Sequence, residues 1–288
     1  MSNTPLCVAR HLVATIALCT TALAARAAEA QDKSLGADSA RARAHPFTPP
    51  VAAFNRHDPQ RFVAMLFATA ATMPFDERIA SYFAQPSIAE NPTYQDITDI
   101  LTKIHERSLF FASVATYGVG RVAGWSNIAD VGFHAGEAIA IGTVVGSILK
   151  PTIGRARPYA VKGDEPFVFD FGKGYTDGRY RSFPSLHEIG SFSAAAVLTE
   201  EVGWRNPGAK PYVAVLSYGI AGLVGIGRIY SEQHWASDVV LGSAMGAFIG
   251  RRVVRYAHSR SRSRMDRWFL GATRGPEGTT RLSATYTF

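Results

Sequence analysis

Thiols are almost missing from this chain. Its 288 residues hold two cysteines, Cys7 and Cys19. Both fall in the first apolar stretch, so beyond it there is no disulfide, no thiolate metal site and no cysteine nucleophile. Charge is sparse as well: 18% of residues are charged against 47% hydrophobic. That balance excludes a disordered chain and lies on the apolar side for a soluble protein. No stretch before the C-terminal tail alternates with period two, which excludes a sheet-based core. Negative charge is the scarcer sign. Asp and Glu number 23 against 30 Lys and Arg, a net charge of +7, which suits phosphate esters, acidic membranes or nucleic acid without choosing among them.

What is present begins with a basic start, Arg10 and His11, before the apolar run from Leu12 to Leu23 and the small-residue site Ala28-Glu29-Ala30. Residues 1–30 read as a secretory signal peptide, because the run is short for a membrane span. Leu18 before Cys19 is a poor lipoprotein site. Residues 31–60, with Pro46, Pro49, Pro50 and Pro59, read as an extended linker.

A helical domain is expected over 61–258. Segments 61–73 and 76–83 suit short helices. The spacing of Tyr94, Ile97, Ile100, Leu101 and Ile104 predicts one helix running on through Leu109, Phe111 and Val114 towards Val122. Apolar, Gly/Ala-rich helices are predicted over 128–149, 185–202, 212–229 and 235–256. The fold class is therefore all-α, a bundle of about six core helices. Gly242, Gly246 and Gly250 recur every fourth residue of the last helix, a pattern that lets a neighbouring backbone approach. Segment 155–183 lacks helical periodicity and reads as a lid or wall between core helices. Residues 259–288 combine a basic run, including Arg260, Arg262, Arg264 and Arg267, with a turn signal at Gly275-Pro276-Glu277-Gly278. The alternation of Leu282, Ala284, Tyr286 and Phe288 predicts a small docked β-hairpin.

Three segments carry the chemistry. They are Lys150-Pro-Thr-Ile-Gly-Arg-Ala-Arg157-Pro158, Phe183-Pro184-Ser185-Leu186-His187, and Arg228-Ile-Tyr-Ser-Glu-Gln-His234-Trp-Ala-Ser-Asp238. Cations, a hydroxyl at a helix start and a His with a carboxylate four residues on make a cradle for an oxyanion and a nucleophile to attack it. Ser185 and Glu188 fit a capping box. Helical spacing puts His234 and Asp238 on one side, where the carboxylate can fix the ring's tautomer.

In order and spacing, these segments resemble the signature of the type-2 phosphatidic acid phosphatase and vanadium haloperoxidase superfamily, over roughly Ile128 to Tyr256. The resemblance implies that His234 attacks phosphorus and forms a phosphohistidine, that Asp238 orients it, and that His187 protonates the leaving alcohol and then activates water. It implies that Lys150, Arg157, Ser185 and Arg228 hold the phosphoryl oxygens, and that no metal or other cofactor is needed. Vanadate is expected as an inhibitor. Leu186 stands where the family usually has Gly, and Gly227 where it usually has Ser; Leu186 is expected to narrow the pocket, and Gly227 to lack a supporting contact.

Other candidates are weaker. His134 and Glu137, one turn apart, read as a satisfied buried pair with too few ligands for a metal, and no other ligand cluster is convincing. Tyr159, Lys162, Lys173, Arg179 and Arg181 either line the mouth or solvate a loop. The expected activity is a metal-independent phosphatase acting on a phosphate monoester or lipid phosphate. The alternatives are a lipid phosphotransferase and a haloperoxidase with vanadate as cofactor. An exported protein is expected, periplasmic or membrane-associated, with its site on the periplasmic side and no nucleic-acid partner.

Overall fold

The computed structural model describes residues 56–259 and the strands 268–274 and 280–286. The expected signal peptide, most of the linker, the run Arg260 to Arg267 and the 275–278 turn lie outside these residues. Helix α1 is Asp58–Thr72, so the predicted linker ends before Asp58 rather than at residue 60. Helices α2 (Asp76–Phe83) and α3 (Pro86–Ala89) follow.

The single helix expected from Thr93 to Val122 is two, α4 (Pro92–Leu101) and α5 (Glu106–Ala123). The reason is local. The His105 ring accepts from the Arg107 and Ser108 amides while Ser108 Oγ accepts from the His105 amide, a reciprocal cap that starts a new helix. The four apolar helices are α6 (Ser126–Ile153), α7 (Leu186–Arg205), α8 (Lys210–Tyr230) and α9 (Ala236–Ser259). Strands β1 (Trp268–Arg274) and β2 (Thr280–Tyr286) pair antiparallel as the predicted hairpin, with β1 beside α5.

Helix α7 is the axis of the bundle, packed by α6, α8 and α9. Its seam with α9 brings backbone against backbone at three glycines, Gly242, Gly246 and Gly250. A Cβ placed on Gly246 would lie 2.4 Å from the Ile189 carbonyl oxygen, and on Gly250 2.6 Å from that of Ser193. Towards the outer end, Ala135, Ala138, Val197, Val253 and Val254 form the apolar core. Helix α1 closes over α9 through Phe62 on Phe248, 5.1 Å between centroids, and Asp58 to Arg252 at 3.4 Å. Arg251 reaches Glu200 at 4.0 Å, so both of these α9 arginines are tied to the bundle.

Segment 154–185 folds back across the end of α6. Gly154 ends that helix at φ +63, and any Cβ there would meet the Asp170 carbonyl. The loop is built around one guanidinium. Fully buried Arg155 donates to Asp238 Oδ1 at 2.6 Å, Ser237 Oγ at 2.7 Å, Asp76 Oδ2 at 2.7 Å and the Pro166 carbonyl at 2.7 Å. The rings of Phe169, Phe183 and Trp235 surround it at 5.3–5.8 Å. It therefore joins α2, the loop and the start of α9.

Two stability measurements test this packing. Gly246→Ala gains up to about 1 kcal/mol of helix propensity, but the backbone contact at 2.4 Å forces the helices apart at about 1–3 kcal/mol. Net destabilisation is expected in thermal melts, whereas Gly219→Ala, with open space around it, should be neutral or stabilising. Arg155→Met leaves two buried carboxylates without their cation and is expected to lower stability by about 3–5 kcal/mol in denaturant titrations.

Candidate active site

The three motifs meet at one end of the bundle. Lys150 lies in the last turn of α6, Arg157 in the loop, Ser185 at the N-cap of α7, Arg228 in the last turn of α8, and His234 just before α9. Arg157 donates to Gln233 beside His234, the Ser185 amide donates to the Asp238 carbonyl, and Lys150, Arg228 and His187 lie close enough to act electrostatically on the His234 ring.

Ser185 is an N-cap without the predicted capping box. Its hydroxyl bonds no amide of α7, and Glu188 turns away, accepting from Ser243 Oγ at 3.1 Å. The box fails because Glu188 is wholly buried between α7 and α9, where burial raises its carboxyl to about 8. The Ser185 amide donates to the Asp238 carbonyl at 3.1 Å, tying the starts of α7 and α9 together. Ser185 Oγ, Arg157 Nε and Arg228 Nε are buried and have no hydrogen-bond partner. Buried donors left unpaired are costly, and here they come from separate motifs that share a site.

Asp238 is immobilised from three directions. Oδ1 accepts from Arg155, while Oδ2 accepts from the Trp235 amide at 2.8 Å and from Ser182 Oγ. His234 Nδ1 stands 3.5 Å from Oδ2, close enough for an ion pair but not aligned as a hydrogen bond. Such contacts tighten when a reacting ligand is bound. His234 precedes α9 instead of sitting on it, so the pairing comes from the turn and not from helical spacing. Burial, then Lys150, Arg228 and Arg157, hold the His234 ring well below the usual imidazole range. Burial also pushes His187 down to about 3, with Arg228 and Lys150 adding to the effect. Both rings are neutral, and a neutral ring nitrogen is a nucleophile or a base.

Sequence reasoning missed the supporting residues. Glu106, in the first turn of α5, brings Oε2 to 3.8 Å from His187 Nδ1; no spacing linked it to the motifs. Asp76 and Ser182 act through Arg155 and Asp238, and only the extra arginine, Arg155, in Gly154-Arg155-Ala156-Arg157 was a visible hint. Leu186 corrects an expectation: its side chain packs towards Gly146 of α6, where a Cβ would lie 2.5 Å from it, so it fills the helix seam. Position 227 faces Leu101 of α4. Of the mouth candidates, Arg179 pairs with Asp177 at 2.8 Å and Arg181 donates to the Gly174 carbonyl at 2.5 Å, both shaping the loop. His134 bonds Glu201 at 2.6 Å, and Glu137 is exposed. The hydrogen bond of buried His134 runs to Glu201 of α7 across the seam, with Glu137 adding negative charge nearby.

These features agree with comparisons to known proteins. Residues 132–262, which contain all three motifs, match the model of the PAP2 superfamily. The lipid A 1-phosphatase of Porphyromonas gingivalis is 37% identical over 83 residues, which is 28% of this chain and 18% of that protein. The alignment thus spans under a fifth of the relative's length. A transmembrane PAP2 type phosphatidylglycerolphosphate phosphatase from Bacillus subtilis has the same fold at a TM-score of 0.51 and 22% identity, covering 71% of this chain and 98% of that one. Motifs, helical architecture and family model therefore agree over one segment, residues 132–262, which is similar to the PAP2 superfamily.

Proposed function

We propose that this protein is a membrane-associated phosphatase that hydrolyses a lipid phosphate monoester through a phosphohistidine on His234. The observation that carries the reading is the set of unpartnered buried donors, Ser185 Oγ, Arg157 Nε and Arg228 Nε, beside a neutral histidine backed by Asp238. A phosphoryl group supplies the acceptors those donors lack, and the fixed cations stabilise the charge that develops as it transfers.

In this reading Asp238 holds the proton on His234 Nδ1, leaving Nε2 to attack phosphorus. The P–N bond forms as the P–O ester bond breaks, and the departing alkoxide takes a proton from His187. His187 has that proton to give because the bound phosphoryl dianion offsets Lys150, Arg157 and Arg228, which depress its basicity in the free site. Neutral again, His187 takes a proton from water, hydroxide attacks phosphorus, the P–N bond breaks, and inorganic phosphate leaves.

A lipid substrate and a membrane setting are favoured by the surface. Helices α6 and α8 are long and apolar enough to cross a bilayer, and they expose apolar faces: Val144 and Ile148 on α6, Val215, Leu216 and Leu223 on α8. Phe167, Phe171 and Tyr175 project from the loop that covers the site, with Phe171 78% exposed. Exposed apolar surface on this scale marks an interaction site. The two named relatives are a lipid A 1-phosphatase and a phosphatidylglycerolphosphate phosphatase. With export read from the N-terminal segment, the site is assigned to the periplasmic side.

Phosphate release by the purified protein from a detergent-solubilised lipid phosphate and from a soluble aryl phosphate tests the chemistry. His234→Ala is expected to lower kcat at least about a thousandfold without lowering the melting temperature; a near-normal rate would remove His234 from the nucleophile's role. Fractionation tests the setting. The protein is expected to stay with membranes through a high-salt wash and to leave with detergent, whereas release by salt alone would reduce the contact to electrostatic attraction.

A further inference from the structure

The end of the bundle away from the cradle carries a second constellation that the proposed chemistry leaves unused. His134 of α6, Glu201 of α7 and His258 of α9 converge there, about 21 Å from His187 along α7 at 1.5 Å per residue. His134 Nδ1 lies 2.6 Å from Glu201 Oε1, and His258 Nε2 lies 3.0 Å from that same oxygen. One potential ligand atom from each residue falls within a set whose members all lie within 4.8 Å of one another. We infer that His134, Glu201 and His258 form a binding site for a divalent transition cation, with zinc the best fit to the donors.

Two imidazole nitrogens and one carboxylate oxygen are a zinc donor set that leaves a fourth position for water. The ligands are already oriented, as metal ligands need to be. Arg205 donates to Glu201 Oε2 at 2.5 Å, holding the carboxylate from behind with Oε1 towards the histidines. Asp130, one turn before His134, takes the other side of that guanidinium at 2.7 Å and offsets its charge. Trp204 stacks on the His258 ring at 4.8 Å and 20°, fixing its plane. Because the distance between paired zinc ligands is about 3.3 Å for bonds of roughly 2.0–2.2 Å, admitting the ion requires shifts of under about 1 Å. The sequence could not reveal the set: its members are far apart in the chain, and His134 had only Glu137 for a visible neighbour.

The ion would clamp three helices at the end opposite the reaction. Its effect belongs to stability and not to phosphoryl transfer. Untagged full-length protein, stripped with a chelator and desalted, is titrated with zinc sulfate by calorimetry and melted with and without the metal. About one equivalent should bind, and at a hundredfold excess over Kd the melting temperature should rise about 5–10 °C. His258→Ala, at a partly exposed helix end, should lose both effects. Arg205→Gln, which keeps every ligand, should still bind one equivalent. No stoichiometric uptake by the wild type, or wild-type uptake by a folded His258→Ala protein, would overturn the assignment. Both readouts are independent of phosphatase activity.

Discussion

The end of the bundle where the three motifs meet is organised by the burial of one guanidinium. Arg155 has no exposure to solvent and spends its donors on Asp76, Asp238, Ser237 and a loop carbonyl. A buried ion pair is weak evidence of net stability, since desolvating the charges offsets their attraction. Its value lies in geometry. Asp238 cannot rotate without breaking its contacts, so the group facing His234 is set by a residue from another motif and by a helix, α2, outside all of them. The loop, the N-terminal helices and α9 are consequently one mechanical unit.

Around that fixed point the candidate site is poorly satisfied. Cations from α6, the loop and α8 are drawn together with few internal anions, two histidines are kept neutral by burial and by those cations, and buried donors stand without acceptors. Each arrangement opposes folding when taken alone. They are tolerated because the small-residue seams of α7 with α6 and α9 pack the remaining length of the bundle without strain.

The sequence made the bundle and the residues of the proposed phosphate site legible for different reasons. Helices α6 to α9 are long runs of apolar and small residues bounded by polar or Pro/Gly-containing segments, and each was located to within a few residues. The three motifs are short and local, so their members could be named before any contact was known. What stayed hidden depends on long-range contact. The break between α4 and α5 turns on a histidine acting as a cap, a role usually taken by Ser, Thr, Asp or Asn. Glu188 looked like a capping residue and is a buried core carboxyl instead. Asp76, Glu106 and Glu201 gain their roles from neighbours dozens of residues away, which no periodicity encodes.

The glycine seam between α7 and α9 has a bearing on how such a protein can diversify. Where backbone meets backbone there is no side chain to exchange, so that interface is closed to gradual change. The loop of 154–185 is different, with exposed Phe167, Phe171 and Tyr175 on a surface that no helix covers. On this frame the seam is the part that resists substitution, and the loop is the part open to it.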